Sequence, residues 1–375
     1  MTTAIVFGAS GISGISLIDT LLEDPSRWSK IIAVSRRPPH QQSDKISHVS
    51  VDLLNSSSDE IAESLVKGGA GDATHAFFFS YIAKDDEDEL IDVNFKLFSN
   101  SVEALHKGTK VKSFLLQTGY KYYGAFVGGE ALQPYPWVED SGRYKGKNFY
   151  FKQEDYLRES AVKYNWKWVI ARPNFITGVS LGNFMSIATT VALYAVACKE
   201  LNTPFYFPGS KYSYHLQYDH SNAKNNAEFE VFALDNPKAV NKVFNIHDGA
   251  HNSFDILWPK IARYFGLALP EPVAEDVKVK EHQELKSVHS VQKWAEENKD
   301  KFGAIVKKYN LDPKAYEHAT WPFLDGATSR TWPDKGNLDA ARSIGWKKTI
   351  DSFEDGYKAA FDKLKQYNVI PKTFE

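Results

Sequence analysis

Between an apolar run, Ala4-Ile5-Val6-Phe7, and an amphipathic series, Ile12, Ile15, Leu17, Ile18, Leu21 and Leu22, stands the stretch Gly8-Ala9-Ser10-Gly11-Ile12-Ser13-Gly14. That succession predicts a strand, a tight glycine turn and a helix, the context a dinucleotide-binding glycine motif requires. Gly8 would permit the sharp turn, Gly11 the close approach of a pyrophosphate, and Gly14 the packing of helix on strand. The start of the helix, from Ser10 through Ile12, would face the phosphates.

A second apolar run, Ile31-Ile32-Ala33-Val34, leads into Ser35-Arg36-Arg37 about twenty residues past the glycines, where a fold of this kind usually carries an acidic residue for the ribose of NAD. A carboxylate would repel a 2′-phosphate, whereas a serine and two guanidinium groups would bind one, so the expected cofactor is NADP(H). Further strands are expected at His48–Leu53, Ala73–Phe79, Ser113–Gln117 and Trp168–Ala171. Their carboxyl ends place other candidate cofactor contacts. Asp52 with Leu53 would lie near the adenine, Ser80 and Tyr81 beside the ribose, Thr118 and Gly119 after the fifth strand, and Pro173, Asn174 and Ile176 near the nicotinamide.

This alternation predicts an α/β fold, a Rossmann-type doubly wound parallel sheet over residues 1–180 with a returning strand near 242–246. Residues 181–375 are expected to form a smaller, mostly helical, discontinuous part that closes over the cofactor, with helices over Phe184–Leu201 and 281–310 and a mostly helical stretch over Leu338–Tyr367. The acidic run Asp85–Glu89 reads as a solvated helix start without chemistry. Net charge is −2, so no electrostatic footprint for nucleic acid or an anionic membrane is visible. The single cysteine, Cys198, lies among apolar neighbours and reads as a structural thiol in a reducing compartment. The longest apolar stretch is too short to span a bilayer, and a cytoplasmic protein is expected. No metal is expected: His247 and His251 are separated by Gly249, and His215 and His220 share no helical face.

Two segments carry candidate chemistry. Thr118-Gly119-Tyr120-Lys121-Tyr122-Tyr123-Gly124 follows the fifth strand, and Asn148-Phe149-Tyr150-Phe151-Lys152-Gln153-Glu154-Asp155 opens the next helix. With these segments the chain resembles the progesterone 5β-reductase/iridoid synthase-like family of short-chain dehydrogenase/reductases, which carries TGxKHYxG and NFYYxxED in this order. Tyr122 stands where histidine is usual, and Phe151 replaces the second tyrosine. Ser35-Arg36-Arg37-Pro38, Ala171-Arg172-Pro173, Phe207-Pro208-Gly209-Ser210, Phe244-Asn245-Ile246 and Val369-Ile370-Pro371 extend the resemblance over nearly the whole chain. It implies an NADPH-dependent reductase of activated C=C bonds in enones and enals, with Tyr150 and Lys121 as the catalytic pair.

The chemistry of that pair is consistent with the implication. Hydride addition to the β-carbon of an enone leaves charge on the carbonyl oxygen, and a phenol aimed at that oxygen stabilises it. A cation such as Lys121 would make the phenol a stronger donor. The expected partner is a small apolar carbonyl substrate, and aromatic residues such as Phe126, Phe149, Phe151, Tyr212, Tyr214, Trp321 and Trp332 are candidates for its pocket or for core. Carbonyl reduction, a redox-silent regulatory protein of the NmrA type and cyclisation of a reactive precursor keep the same fold and stay open, as does assembly into a homodimer.

Overall fold

The computed structural model describes residues 2–129, 132–182, 185–270 and 287–374. Its centre is a seven-stranded sheet in which every pairing is parallel. The strands are β1 (Thr2–Phe7), β2 (Trp28–Val34), β3 (Ile46–Val49), β4 (His75–Phe78), β5 (Ser113–Gln117) and β6 (Lys167–Pro173). Two short strands, β7 (Phe175–Thr177) and β8 (His220–Asn222), pair outside the sheet, and β9 (Lys242–Ile246) returns to its edge. The sheet order is β3-β2-β1-β4-β5-β6-β9. The chain thus winds one way from β1 and then crosses to the other side at β4. This doubly wound topology opens a crevice at the carboxyl ends of β1 and β4.

Alternation along each strand sends residues to two faces. Ile5, Phe7, Ile32 and Val34 join a core with three helices, α2 (Ser58–Lys67), α3 (Glu87–Gly108) and α4 (Phe149–Tyr164). Ala4, Val6, Ile31 and Ala33 pack on the opposite face against α1 (Ile12–Glu23) and the helix Ala223–Asp235. Strands covered on both faces need apolar runs, which is why β1 and β2 are legible in the sequence. A third core gathers Phe175, Val191, Trp258, Phe302 and Phe361 around α5 (Ile187–Leu201), whose residues Ile187 to Cys198 are all buried. Burial pushes the Cys198 thiol up to about 12, which makes it inert.

Several expected bounds are corrected. The second strand stops at Val34 and β3 stops at Val49, so Ser35–Arg37 and Asp52–Leu53 lie in the loops beyond them. The helix expected from Phe184 starts at Ile187, and Phe184 lies outside the described residues. Of the helix expected over 281–310, the chain forms Val291–Tyr309, while 281–286 lie outside the described residues. The stretch Leu338–Tyr367 is mostly helical, as expected, in three pieces: Asp339–Ser343, which stops before Gly345 with its φ of +103°, the π-helix Ser352–Lys358, and Ala359–Gln366. Among the described residues, no helix is long and apolar enough to cross a membrane.

Candidate active site

Two glycines make the turn after β1. Gly8 holds a φ of +80°, and a Cβ there would lie 2.9 Å from the Phe79 carbonyl carbon at the end of β4. A Cβ on Gly14 would lie 2.3 Å from the Gly8 carbonyl oxygen, so α1 approaches the turn closely enough to exclude any side chain. Gly11 is the residue preceding α1, which therefore starts without a side-chain cap. Its first-turn N–H groups lack intrahelical acceptors and point at the crevice, a ready site for phosphate oxygens. The Ser10 carbonyl, just before this turn, accepts a bond from Ser180 Oγ at 2.7 Å. These features fit a dinucleotide.

A cavity of about 560 Å³ lies over the crevice, between the carboxyl ends of the strands and the helix Trp321–Thr328. Gly11, Ile12, Ser80, Tyr81, Thr118 and Gly119, all expected cofactor contacts, line it. Lys121, Tyr150, Pro173, Asn174 and Ile176 line it as well. Gly8, Ser10 and Gly14 form the frame behind this lining. Ser35, Arg36, Arg37, Asp52 and Leu53 lie outside the cavity wall. There Ser35 Oγ bonds the Arg37 carbonyl at 2.6 Å, and Arg37 Nη2 reaches the Leu181 carbonyl at 3.1 Å. Arg36 is exposed, and hydrogen bonds from Asn55 lower the Asp52 pKa, with the Arg36 charge adding to the effect. Asp52 caps its own turn, accepting from the N–H groups of Leu54 and Asn55 and from Asn55 Nδ2. The Leu53 carbonyl accepts Asn100 Nδ2 at 3.0 Å.

One asparagine links the two candidate catalytic residues. Asn148 Oδ1 accepts the Tyr150 N–H at 3.0 Å as cap of α4, and Asn148 Nδ2 donates to the Lys121 carbonyl at 2.9 Å. The Tyr150 hydroxyl lies over Gly119, where a Cβ would be 3.7 Å from it, and its ring rests on Phe149. Burial pushes the Tyr150 hydroxyl well above the ordinary phenol range, with Tyr81 and Glu154 adding to the effect. Among the described residues, no hydrogen bond joins Lys121 to this hydroxyl. The Lys121 ammonium is instead held by both oxygens of Glu87, at 3.3 and 3.4 Å, and sits over the Phe126 ring. Burial lowers the Lys121 pKa and Glu87 opposes that. The acidic run read as having no chemistry therefore supplies the partner of a candidate catalytic residue. Glu87 and Lys121 are 34 residues apart, and only the fold joins them.

The remaining motif residues build the frame. Arg172 and Glu154 are both buried and make a bidentate pair, Nη2 to Oε2 at 2.8 Å and Nε to Oε1 at 3.1 Å. The guanidinium lies 3.4 Å from the centre of the Tyr122 ring and donates to the Tyr123 hydroxyl at 3.0 Å. Thr118 Oγ1 joins Glu154 at 3.3 Å. Tyr122 and Phe151, the two departures from the family pattern, pack edge to face on each other behind the cavity wall. Of the suspected pocket aromatics, Phe126 and Phe149 line the cavity. Trp332 instead bonds the Ala125 carbonyl from its buried indole, Trp321 packs near Trp294 and Phe302, and Tyr214 on Phe207. Sequence reading missed Gln117, Phe323 and Arg330, which line the cavity from segments without a local motif. Among the described residues, no three His, Cys, Asp or Glu side chains gather as a metal site would need.

A parallel doubly wound sheet with a glycine turn at its switch point, under a cavity that holds a tyrosine and a lysine, defines a Rossmann-fold protein. The family model of the PRISE-like Rossmann-fold domain matches residues 4–371, and the chain belongs to that family. A short chain dehydrogenase of Penicillium aethiopicum is 30% identical, over 99% of both chains. An (S)-8-oxocitronellyl enol synthase of Catharanthus roseus is 31% identical over 99% of this chain and 92% of its own. A 3-oxo-Delta(4,5)-steroid 5-beta-reductase of Arabidopsis thaliana is 29% identical over 99% and 93%. Among solved structures, UDP-glucose 4-epimerase of Thermotoga maritima shares the fold with a TM-score of 0.65 at 14% identity, covering 97% of this chain and 99% of that one.

Proposed function

We propose that the protein reduces the C=C bond of α,β-unsaturated carbonyl compounds with NADPH. The observation that carries this reading is the Tyr150 hydroxyl, held over Gly119 in a cavity that opens on the glycine turn and has nine aromatic residues in its wall. The names of two relatives, a steroid 5-beta-reductase and an enol synthase, support the same chemistry. Ser35, Arg36 and Arg37, with no carboxylate at the end of β2, support NADPH over NADH.

Bound at the crevice, NADPH would supply the hydride. The protein's residues do the rest. The uncapped start of α1 binds phosphate oxygens. Tyr150 donates its proton toward the substrate oxygen, where charge develops, and its high pKa keeps that proton in place until the charge appears. Lys121 adds positive charge at the same mouth, and Phe126, Phe149 and Phe323 exclude water. In this reading residues 1–180, with β9, hold the cofactor, residues 181–375 cover a small apolar carbonyl substrate, and the protein works in the cytoplasm.

Product analysis with C4-deuterated NADPH tests the reaction type. Deuterium belongs at the β-carbon of a saturated ketone or aldehyde. Deuterium on a carbinol carbon would make the protein a carbonyl reductase, and a product without deuterium, with NADPH unconsumed, would make it a non-redox enzyme.

A further inference from the structure

The arginine loop after β2 is held from the far end of the chain. Ser35, Arg36 and Arg37 are followed by Pro38 and Pro39. Two proline rings fix φ and keep the residues before them extended, so the stretch is a stiff strut and the place of His40 sets the place of Arg37. The arginines are exposed, whereas Pro39 is buried. His40 Nε2 shares a hydrogen bond of 2.9 Å with the Tyr367 hydroxyl, and the two rings meet edge to face with their centres 5.5 Å apart. Tyr367 closes the helix Ala359–Gln366, its N–H bonding the Lys363 carbonyl at 3.1 Å. One residue past His40, Gln41 Nε2 donates to the Ile15 carbonyl at 2.9 Å and to Asp19 Oδ1 at 2.7 Å, both on α1. The Lys363 ammonium lies 3.6 Å from Asp19 Oδ2, so the C-terminal helix, α1 and the loop meet at one place.

Arg37 has a tether of its own. Its Nη2 donates to the Leu181 carbonyl at 3.1 Å. Gly182, with a φ of +77°, brings bare backbone against the guanidinium, where a Cβ would lie 3.0 Å from Nη2. That bond leaves the other N–H donors of the group for a phosphate. An exposed arginine loses much rotamer freedom when it is ordered, and a loop already held in place loses less on binding.

Resting on the NADPH reading of the site, we infer that Tyr367 and His40 are positioning residues for cofactor choice. Their bond holds the proline strut, so that Arg36 and Arg37 stand ready for the 2′-phosphate. NADH has no such phosphate, so the order of the loop matters to NADPH alone.

The test titrates NADPH and NADH by fluorescence, and 2′,5′-ADP and 5′-AMP by calorimetry, since the second pair carries the same difference without a nicotinamide. Tyr367→Phe keeps the ring on His40 and removes only the hydroxyl. Its NADPH-over-NADH preference should fall by about three- to tenfold, through weaker NADPH binding with NADH affinity unchanged. The fragment ratio should fall alike. His40→Ala should lower the preference at least as far, and His40→Gln, whose amide still reaches for the hydroxyl, should keep more of it. Adding Tyr367→Phe to His40→Ala should lower it no further. Thermal unfolding of each variant reads a merely structural role: a lower Tm, with both cofactors weakened alike and the preference kept, would overturn the inference. If the native protein binds 2′,5′-ADP no better than 5′-AMP, the NADPH reading fails and the inference with it. A native preference that ignores both substitutions would leave that reading standing and sink the inference alone.

Discussion

The Lys121 ammonium lies 3.3 Å from one carboxylate oxygen of Glu87 and 3.4 Å from the other, across the mouth of the cavity. Glu87 sits in the first turn of α3, where negative charge is also favoured by the helix dipole. The lysine is partly desolvated, which by itself favours the neutral amine, and the carboxylate restores the charged form.

Glu87→Gln should therefore lower the pKa of Lys121 further. Because the active form is the protonated one, activity would be lost earlier as pH rises, and the alkaline limb of the kcat/KM profile should move to lower pH while the acid limb stays. A pH–rate profile of both proteins checks this. An unshifted alkaline limb would mean that the pair does not control the lysine's charge.

Cofactor choice is a second measurable consequence. Ser35, Arg36 and Arg37 lie just past β2, with both arginines exposed. Bonds from charged donors to a 2′-phosphate should make NADPH bind about ten to a hundred times more tightly than NADH. Fluorescence titration of both cofactors measures it, and equal affinities would remove the loop from recognition.

Tyr150→Phe keeps the ring on Phe149 and removes only the hydroxyl. Folding and NADPH affinity should persist while turnover of a weakly activated enone falls by about two to three orders of magnitude. Near-native turnover would show that another donor meets the substrate oxygen.

The buried Arg172–Glu154 pair makes a stability prediction. Glu154→Ala leaves a guanidinium without its carboxylate in a site that is 1% exposed, at a cost of about 3–5 kcal/mol. Denaturant unfolding should show that loss, and the double variant Glu154→Leu/Arg172→Met should recover much of it. A single variant within about 1 kcal/mol of the native protein would mean that the frame relaxes around the charge.

What the sequence determined by itself is local. The glycine turn needs Gly8 at positive φ and Gly14 without a side chain, requirements that concern neighbours in the chain, so the motif announces β1 and α1 directly. Strands covered on both faces need apolar runs, which exposed β1, β2 and β5, and the Thr118–Gly124 and Asn148–Asp155 segments marked the residues that meet at the crevice. Short or polar strand ends such as those of β3 have no such signature, because their bounds follow from where a neighbouring strand offers partners. The same limit hid the pairs that define the site. Glu87 and Lys121 meet only because α3 starts, and the turn after β5 lies, at the same edge of the sheet. Arg330 reaches the cavity, and Asp334 accompanies it there, because the C-terminal third folds back over β6. Such contacts are set by the summed packing of three cores, and tertiary structure alone decided them, since no rule of spacing along the chain encodes which distant charges a fold will bury side by side.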